Sequence, residues 1–454
     1  MNNALNDQHS FKKLLKFTIP TMITLIFTSI YNVVDSLFIS NCVGKEAFAS
    51  VNFIFPFLMC LGGVGFMFGT GGSALISKTM GEGDKEKPNS LFSLILFVSF
   101  IVGVLLAVLG FLFLKPFASS LGAKGKLLEG ALAYGRIIIL SVPAFVLQFE
   151  FQSFFSTAGK PRLCLYITIL SGVTNIILDA LFVVVLNWGL EGAAFATVIS
   201  QYLAAILPLM YFSIPNTSFL RLCKPHFDGL ALLKVCTNGS SELLSEISMS
   251  FVSMLYNVQL LKYEGSNGIA AYGVLMSVGF VFHAIFIGYA VGVTPIIGYQ
   301  YGAKNSSELK NILKKSFILI GSFAISMFLS SLVLSIPLSF LFVGYDEKLF
   351  STTIQAFSIF SFCFLFSGYA IFGSAFFTAL NNGLVSAIIS FMRTVVFEVI
   401  AVLIFPMIWG INGIWASIVG AEVMAVLMVF FFLAIKEKTI WILEGRADWF
   451  QVLV

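Results

Sequence analysis

The sequence predicts an all-α polytopic membrane protein, with twelve transmembrane helices in two six-helix lobes related by a pseudo-twofold along the membrane normal. Three observations predict it. The 454-residue chain is 58% hydrophobic and 11% charged, with a mean hydropathy of +0.98, far outside the usage of water-soluble domains. Apolar runs of ~20 residues, each long enough to cross a hydrocarbon core, recur from near Phe17 to near Lys436. Several segments of the first half also return in the second at one fixed offset. Uninterrupted runs of this kind exclude barrel strands, where lipid-facing and lumen-facing residues alternate.

The opening "MNNALNDQHSFKKLLKF" is polar and then basic. The run after it is too long for a secretory leader and ends in no small-residue cleavage site, so no removable signal is expected. Helix one is predicted over 17–40 and contains Asp35; helix two follows over 48–77 and helix three over 91–114. Helix four (132–157) carries Tyr134, Arg136, Glu150 and Gln152. Helix five (163–186) contains "TNIILDALF", where Asn175 and Asp179 stand four residues apart and so stack on one helix face. Helix six (190–213) includes Thr197.

The longest polar interruption, "IPNTSFLRLCKPHFDG" at 214–229, carries two prolines and falls near the midpoint. It reads as a cytoplasmic linker between an N-lobe (1–213) and a C-lobe (230–454). Helix seven (230–261) carries Glu242 and Glu246, and helix eight (268–300) carries His283. Helices nine (316–343), ten (350–380), eleven (384–409, with Arg393 and Glu398) and twelve (411–435, with Glu422) complete the set. The tail "WILEGRADWFQVLV" (441–454) reads as a short cytoplasmic amphipathic end with no assigned role.

Orientation follows from the loops. Eighteen Lys and Arg residues lie on the side of the termini and six on the other, and Arg136 and Arg393 fall within spans. The positive-inside rule places both termini in the cytoplasm. The +4 net charge is this loop bias and implies no nucleic acid partner. The six cysteines are scattered without a CxxC pair, and three histidines are too dispersed for a zinc cluster. No cofactor and no metal centre are expected.

The internal repeat supports the two-lobe reading. "NWGLEGAAFATVIS" (187–200) echoes "IWGINGIWASIVGA" (408–421), "GGSALISKTMGEGDKEK" (71–87) echoes "GVTPIIGYQYGAKNSSE" (292–308), and "FFSTAGKP" echoes "FFTALNNG"; each pair is 221 residues apart, as in 302 − 81. Six helices per half is an even number, so the halves are parallel repeats. That design suits a secondary transporter whose two lobes rock about a shared cavity. No Walker A sequence and no ATPase-sized soluble domain is present, so an ion gradient supplies the energy. The reading is of a transporter, with no catalytic residues.

Ionisable side chains inside a membrane are costly and mark functional positions. An acid withdrawn from water near a second acid can hold a proton near neutral pH and release it when the cavity opens or a cation approaches. Asp35 and Asp179 are the strongest candidates for that role, with the alternative of a static polar network locking helices together. The same oxygens suit sodium, at Asp35, Asn175, Asp179 and Thr197. Arg393 and Glu398 lie five residues apart, about 140° round a helix, and are expected to pair elsewhere in structural roles. Glu150 and His283 are isolated.

The chain is similar over nearly its whole length to the multidrug and toxic compound extrusion (MATE) family, in its DinF-like bacterial branch. The resemblance rests on "IPTMITLIFTSIYNVVDSLFISNCVGKEAFASV", "GTGGSALISKTMGEGDKEK", "STAGKPRLCLYITILSGVTNIILDALF" and "GLEGAAFATVIS", in that order. It implies export by antiport with protons or sodium. Asp35, Asn175 and Asp179 match N-lobe positions tied there to ion coupling, and Tyr134 and Thr197 match further members of that polar cluster. Gln152 stands where another amide is sought. Pro20 matches the helix-one proline at which that helix bends, which its missing backbone donor makes reasonable.

Glu242, at an offset where some relatives place a helix-seven acid, ranks second. Glu246 ranks lower, because so near a helix start it is free to face the cytoplasm. At the 221 offset Asn175 maps to Val396 and Asp179 to Ile400, so the C-lobe lacks the helix-five pair. An acid pair confined to one lobe favours protons over sodium. The expected substrates are small amphiphilic organic cations, held by acids, aromatic rings and methionines. The expected place is the cell inner membrane, with one chain forming a complete pathway as a monomer. The alternative reading is a flippase or exporter of a lipid-like metabolite from the same superfamily.

Overall fold

The computed structural model describes Leu5 and residues 9–441 apart from Lys85 and Tyr345, so the predicted tail beyond Trp441 lies outside the described residues. Helices account for nearly all of it, and among the described residues there is no strand. Twelve rods follow in order. They are α1 (Phe11–Phe38, ending in a wide turn over Ile39–Val43), α2 (Lys45–Gly62 and Val64–Gly81), α3 (Lys87–Ser120) and α4 (Gly125–Ile139 and Val142–Thr157). Next come α5 (Pro161–Asp179, widening over Ala180–Val185), α6 (Gly189–Ser213), α7 (Gly229–Glu264) and α8 (Ser266–Gly302). The last four are α9 (Ser306–Val343), α10 (Glu347–Phe360 and Phe364–Ala379), α11 (Gly383–Phe391, a wide turn Met392–Phe397, Glu398–Trp409) and α12 (Ile411–Trp441).

Ten of these are long and apolar enough to cross a membrane by themselves, and the two parts of α4, bent by 60°, make an eleventh. The exception is α7. At 36 residues it has the length, but its middle, "TNGSSELLSE", is too polar for lipid. Its polar side chains turn inward instead: Asn238, Ser241 and Ser248 are buried. The two lobes each hold their own apolar cores, around Phe92, Phe151 and Phe212 and around Ile54 and Ile138 in the first, and around Phe357, Phe364 and Trp415 in the second.

The lobes meet along α1, α2, α7 and α8, at the end that carries most Lys and Arg (the basic end). Glycine makes this seam possible. A Cβ on Gly81 would fall on the backbone carbonyl of Tyr299, and one on Gly302 would fall on that of Lys78. Gly81 and Gly302 are repeat mates, and so are Lys78 and Tyr299 (299 − 78 = 221), so the contact is reciprocal about the pseudo-twofold. Likewise Gly71 of α2 abuts Val235 and Gly239 of α7, while its mate Gly292 of α8 abuts Thr18 of α1, the mate of Gly239. Side chains any larger would force the backbones apart.

Two segments brace the basic end. The stretch between α6 and α7 is not a loose tether: Leu220 is fully buried, and the backbone N–H groups of Arg221 and Cys223 donate to Asn89 and Ser93 on α3, both at 2.9 Å. Leu5 and His9, ahead of α1, form a strap across the seam. Buried Leu5 has its carbonyl held by Gln300 at 2.8 Å, and the His9 backbone N–H donates to Glu308 at 2.7 Å. Asn311 steadies the other Glu308 oxygen, and the Lys315 ammonium donates to the His9 carbonyl at 2.5 Å. An N-lobe lead-in is thereby fastened to α8 and α9 of the C-lobe.

Candidate functional site

Inside the N-lobe, four helices converge on one polar cluster. Tyr31 and Asp35 lie four residues apart on α1, and Asn175 and Asp179 four apart on α5, so each pair shares a helix face. The α4 break at Leu140–Ser141 lets its first segment present Tyr134 and its second present Gln148 to the same cluster. Thr197 enters from α6. Asp179 is fully buried and Asn175 almost so, while Asp35 is only partly covered. Asp35 and Asp179 are near enough to influence each other's charge; Tyr134 sits beside Thr197 within reach of both acids, and Tyr31 sits between Gln148 and Asp35.

The cluster is short of partners. Both carboxylate oxygens of Asp179, one of Asp35, the Asn175 amide nitrogen and the Gln148 amide oxygen are buried without a hydrogen bond. Each such group costs about 1–3 kcal/mol when left unpaired. Two acids in one dry pocket are most easily accommodated with a proton or a cation between them. Both acids also stand next to widened helical turns, Ile39–Val43 after Asp35 and Ala180–Val185 after Asp179. Such turns interrupt the regular hydrogen-bond ladder and often accompany functional sites.

The expected site residues thus divide. Asp35, Asn175, Asp179, Tyr134 and Thr197 come together. Gln152 lies one turn below Gln148 on α4, and one turn further down Ser156 meets Thr21 of α1 at 3.2 Å. Gln148 and Tyr31 belong to the cluster although the sequence reading passed them over. The available signal was spacing: each sits four residues from a residue that reading had chosen. Pro20 sits inside an α1 that stays continuous from Phe11 to Phe38. Thr24 donates to the Pro20 carbonyl at 2.8 Å, and Thr18 and Thr28 make the same backward bonds.

In the C-lobe, Glu246 is not near a helix start. It lies halfway along α7, opposite Gly63 of α2, where an added Cβ would stand 3.5 Å from its own. The polar run that looked like an aqueous helix end is mid-helix, because the true cap is Asp228, whose side chain takes the Ala231 N–H. Glu242 lies one turn from Glu246 on the same face, half-buried.

Arg393, on the wide turn of α11, holds Glu422 of α12 through three bonds: Nε to both carboxylate oxygens at 3.1 and 2.9 Å, and Nη2 to Oε1 at 2.6 Å. The His283 ring is close enough to feel this pair, so it is less isolated than its sequence context implies. Glu398 makes no hydrogen bond or ion pair with any described residue. At Tyr256, the repeat mate of Asp35 (256 − 35 = 221), the C-lobe replaces a carboxyl with a phenol bonded to Ser417 at 2.8 Å. Glu150 is fully buried with both oxygens unpartnered, facing α2 and α3 and away from the cluster.

Comparison with known proteins gives a consistent relationship. The MatE family model matches the chain twice, over residues 20–181 and 243–404. The chain is 26% identical over 439 residues to the multidrug export protein MepA of Staphylococcus haemolyticus, covering 94% of each. Its fold superposes with a TM-score of 0.91 on a crystal structure of a MATE protein in complex with MaL6, at 23% identity and over 96% of this chain and 98% of that one. It superposes with a TM-score of 0.90 on the outward-facing conformation of a multidrug resistance MATE family transporter, again at 23% identity, over 96% and 98% of the two chains.

Proposed function

The chain belongs to the MatE family, and from that premise we propose that it exports small amphiphilic organic cations across the cell membrane in exchange for protons. The observation that carries this reading is the buried Asp35–Asp179 pair with its unpartnered oxygens. Bringing a proton there satisfies an acid and removes a charge from a low-dielectric site; losing it creates the negative charge that draws a cation. One pocket therefore serves proton and substrate in alternation. The name of the MepA relative, a multidrug export protein, supports the substrate class. The N-lobe spans 1–213 and the C-lobe 230–454, joined by 214–229, and a monomer contains the whole pathway.

With both termini in the cytoplasm, the glycine seam and the strap close the cytoplasmic end. Tyr134 and Thr197 orient the acids; Asn175, Gln148 and Gln152 supply amides along the route down α4. Pro20 gives α1 a place to bend as Asp35 changes charge. Glu242 and Glu246, on the face of α7 toward the N-lobe, offer a second docking point for a cation. Sodium, held by Asp35, Asn175, Asp179 and Thr197, is the competing coupling ion.

Proteoliposomes loaded with a cationic dye test this. Efflux driven by a pH step without sodium is the expected result. A strict sodium requirement, with no response to the pH step, overturns proton coupling.

A further inference from the structure

A second constellation lies on the outside of the N-lobe. On α6, Glu191, Phe195, Ile199, Tyr202 and Ile206 form one exposed stripe at helical spacing. Thr197, which looks into the acid cluster, is two residues from both Phe195 and Ile199 and therefore about 200° round the helix from each. The stripe thus faces lipid. On the first segment of α4, Glu129, Arg136 and Leu140 are exposed along one side. Tyr202 ties the two helices by donating to the Leu140 carbonyl at 2.9 Å.

Between the stripes is an open surface depression whose charged lining is Glu129, Arg136 and Glu191, with Leu132, Ile137 and Phe195 beside them. Arg136 makes no hydrogen bond or ion pair with either acid or with any other described residue. Depth is set by two markers. Arg136 lies beyond the 60° break in α4, on the segment away from the basic end, and the second segment alone (Val142–Thr157) rises about 24 Å, most of the thickness of a hydrocarbon core. Trp188, stacked on Phe182 at 4.9 Å and edge-on to Phe195 at 6.3 Å, is the kind of ring that anchors at a membrane interface. The pocket therefore opens at the level of lipid phosphates, in the leaflet opposite the basic loops.

A guanidinium at that depth matches a phosphate with two parallel bonds. The carboxylates of Glu129 and Glu191 beside it repel a purely anionic headgroup and attract a positive one. An ammonium with N–H donors satisfies them better than a quaternary amine, which has none. We propose that this pocket binds a phospholipid with a primary-ammonium headgroup, its phosphate on Arg136, its ammonium between Glu129 and Glu191, and one acyl chain along Phe195, Ile199, Tyr202 and Ile206. The site is separate from the acid cluster, and its occupancy does not depend on the coupling ion or the exported compound.

Native mass spectrometry of the full chain, released from micelles with equimolar phosphatidylethanolamine, phosphatidylcholine and phosphatidylglycerol, tests the proposal. Phosphatidylethanolamine is expected to be retained about fivefold or more over the other two. Arg136→Ala should cut that retention by a similar factor, and Arg136→Gln serves in its place should the alanine variant not fold. The double variant Glu129→Gln, Glu191→Gln should keep a phospholipid bound yet level phosphatidylethanolamine with phosphatidylcholine. Equal retention of the three lipids, a preference for phosphatidylglycerol, or undiminished phosphatidylethanolamine on the folded Arg136 variant each overturns it.

Discussion

Arg393 and Glu422 form a bidentate ion pair between α11 and α12, with the arginine side chain 18% exposed and the glutamate 4%. Breaking such a pair by removing one partner leaves an uncompensated buried charge, at a cost of about 3–5 kcal/mol. Arg393→Met or Glu422→Gln should each lower the thermal midpoint in detergent by several degrees. The double variant Arg393→Met, Glu422→Leu should regain at least half of the larger loss, since an apolar pair carries no such penalty. Additive losses in the double variant would argue against the pair as the cause.

Asp35→Asn and Asp179→Asn should each abolish pH-driven efflux, while the variants still elute as folded protein. The amide keeps shape and polarity but cannot exchange a proton. Normal pumping by both variants would remove the acid pair from the mechanism.

The strap makes a prediction about the closed end. Glu308→Ala removes the acceptor of the His9 N–H, and an unpaired buried donor costs about 1–3 kcal/mol. The seam should then open more often. In a background without native cysteines, Ser77→Cys, buried at the seam beside Gly298, should be alkylated several-fold faster when Glu308→Ala is added. Unchanged labelling would show that the strap does not restrain the lobes.

Asp84 gives a pH dependence outside the membrane. Its carboxylate accepts the N–H groups of Glu86 and Lys87, both at 3.0 Å, just before α3. Those bonds, the Lys87 one foremost, hold its pKa below the usual 3.8. A lowered folded value means that the stabilisation is fully present above the unfolded pKa. It is lost as pH falls through the folded one. The protection of the first amides of α3, taken relative to their intrinsic exchange rates at each pH, should therefore fall in acid, and Asp84→Asn should blunt that response.

Much of the fold was legible because lipid imposes a simple demand: ~20 apolar residues per crossing. Helix seven, read at 230–261, is a helix over Gly229–Glu264, but its polar middle is buried by protein, which the apolar-run rule does not describe. The glycine seam was not legible. Small residues are common in membrane helices, and the sequence does not say which of them meet. In the N-lobe, helix periodicity paired Asn175 with Asp179, but Gln148 joins only through the 60° break in α4; Pro143 marks the start of the second segment but not the angle between the two. The Arg393–Glu422 pair was hidden because its partners lie on different helices, 29 residues apart.

The reciprocal approach of Gly81 to Tyr299 and of Gly302 to Lys78 is the signature of an isologous contact, in which one surface meets its own copy. A single ancestral six-helix chain, dimerising about that axis, would have needed one glycine to serve both sides. The two copies differ where function divides them, with a carboxyl at Asp35 and a phenol at its counterpart Tyr256. Two polypeptides made by opening the chain within 214–228 should therefore still find each other in one membrane, and co-purify as a pair.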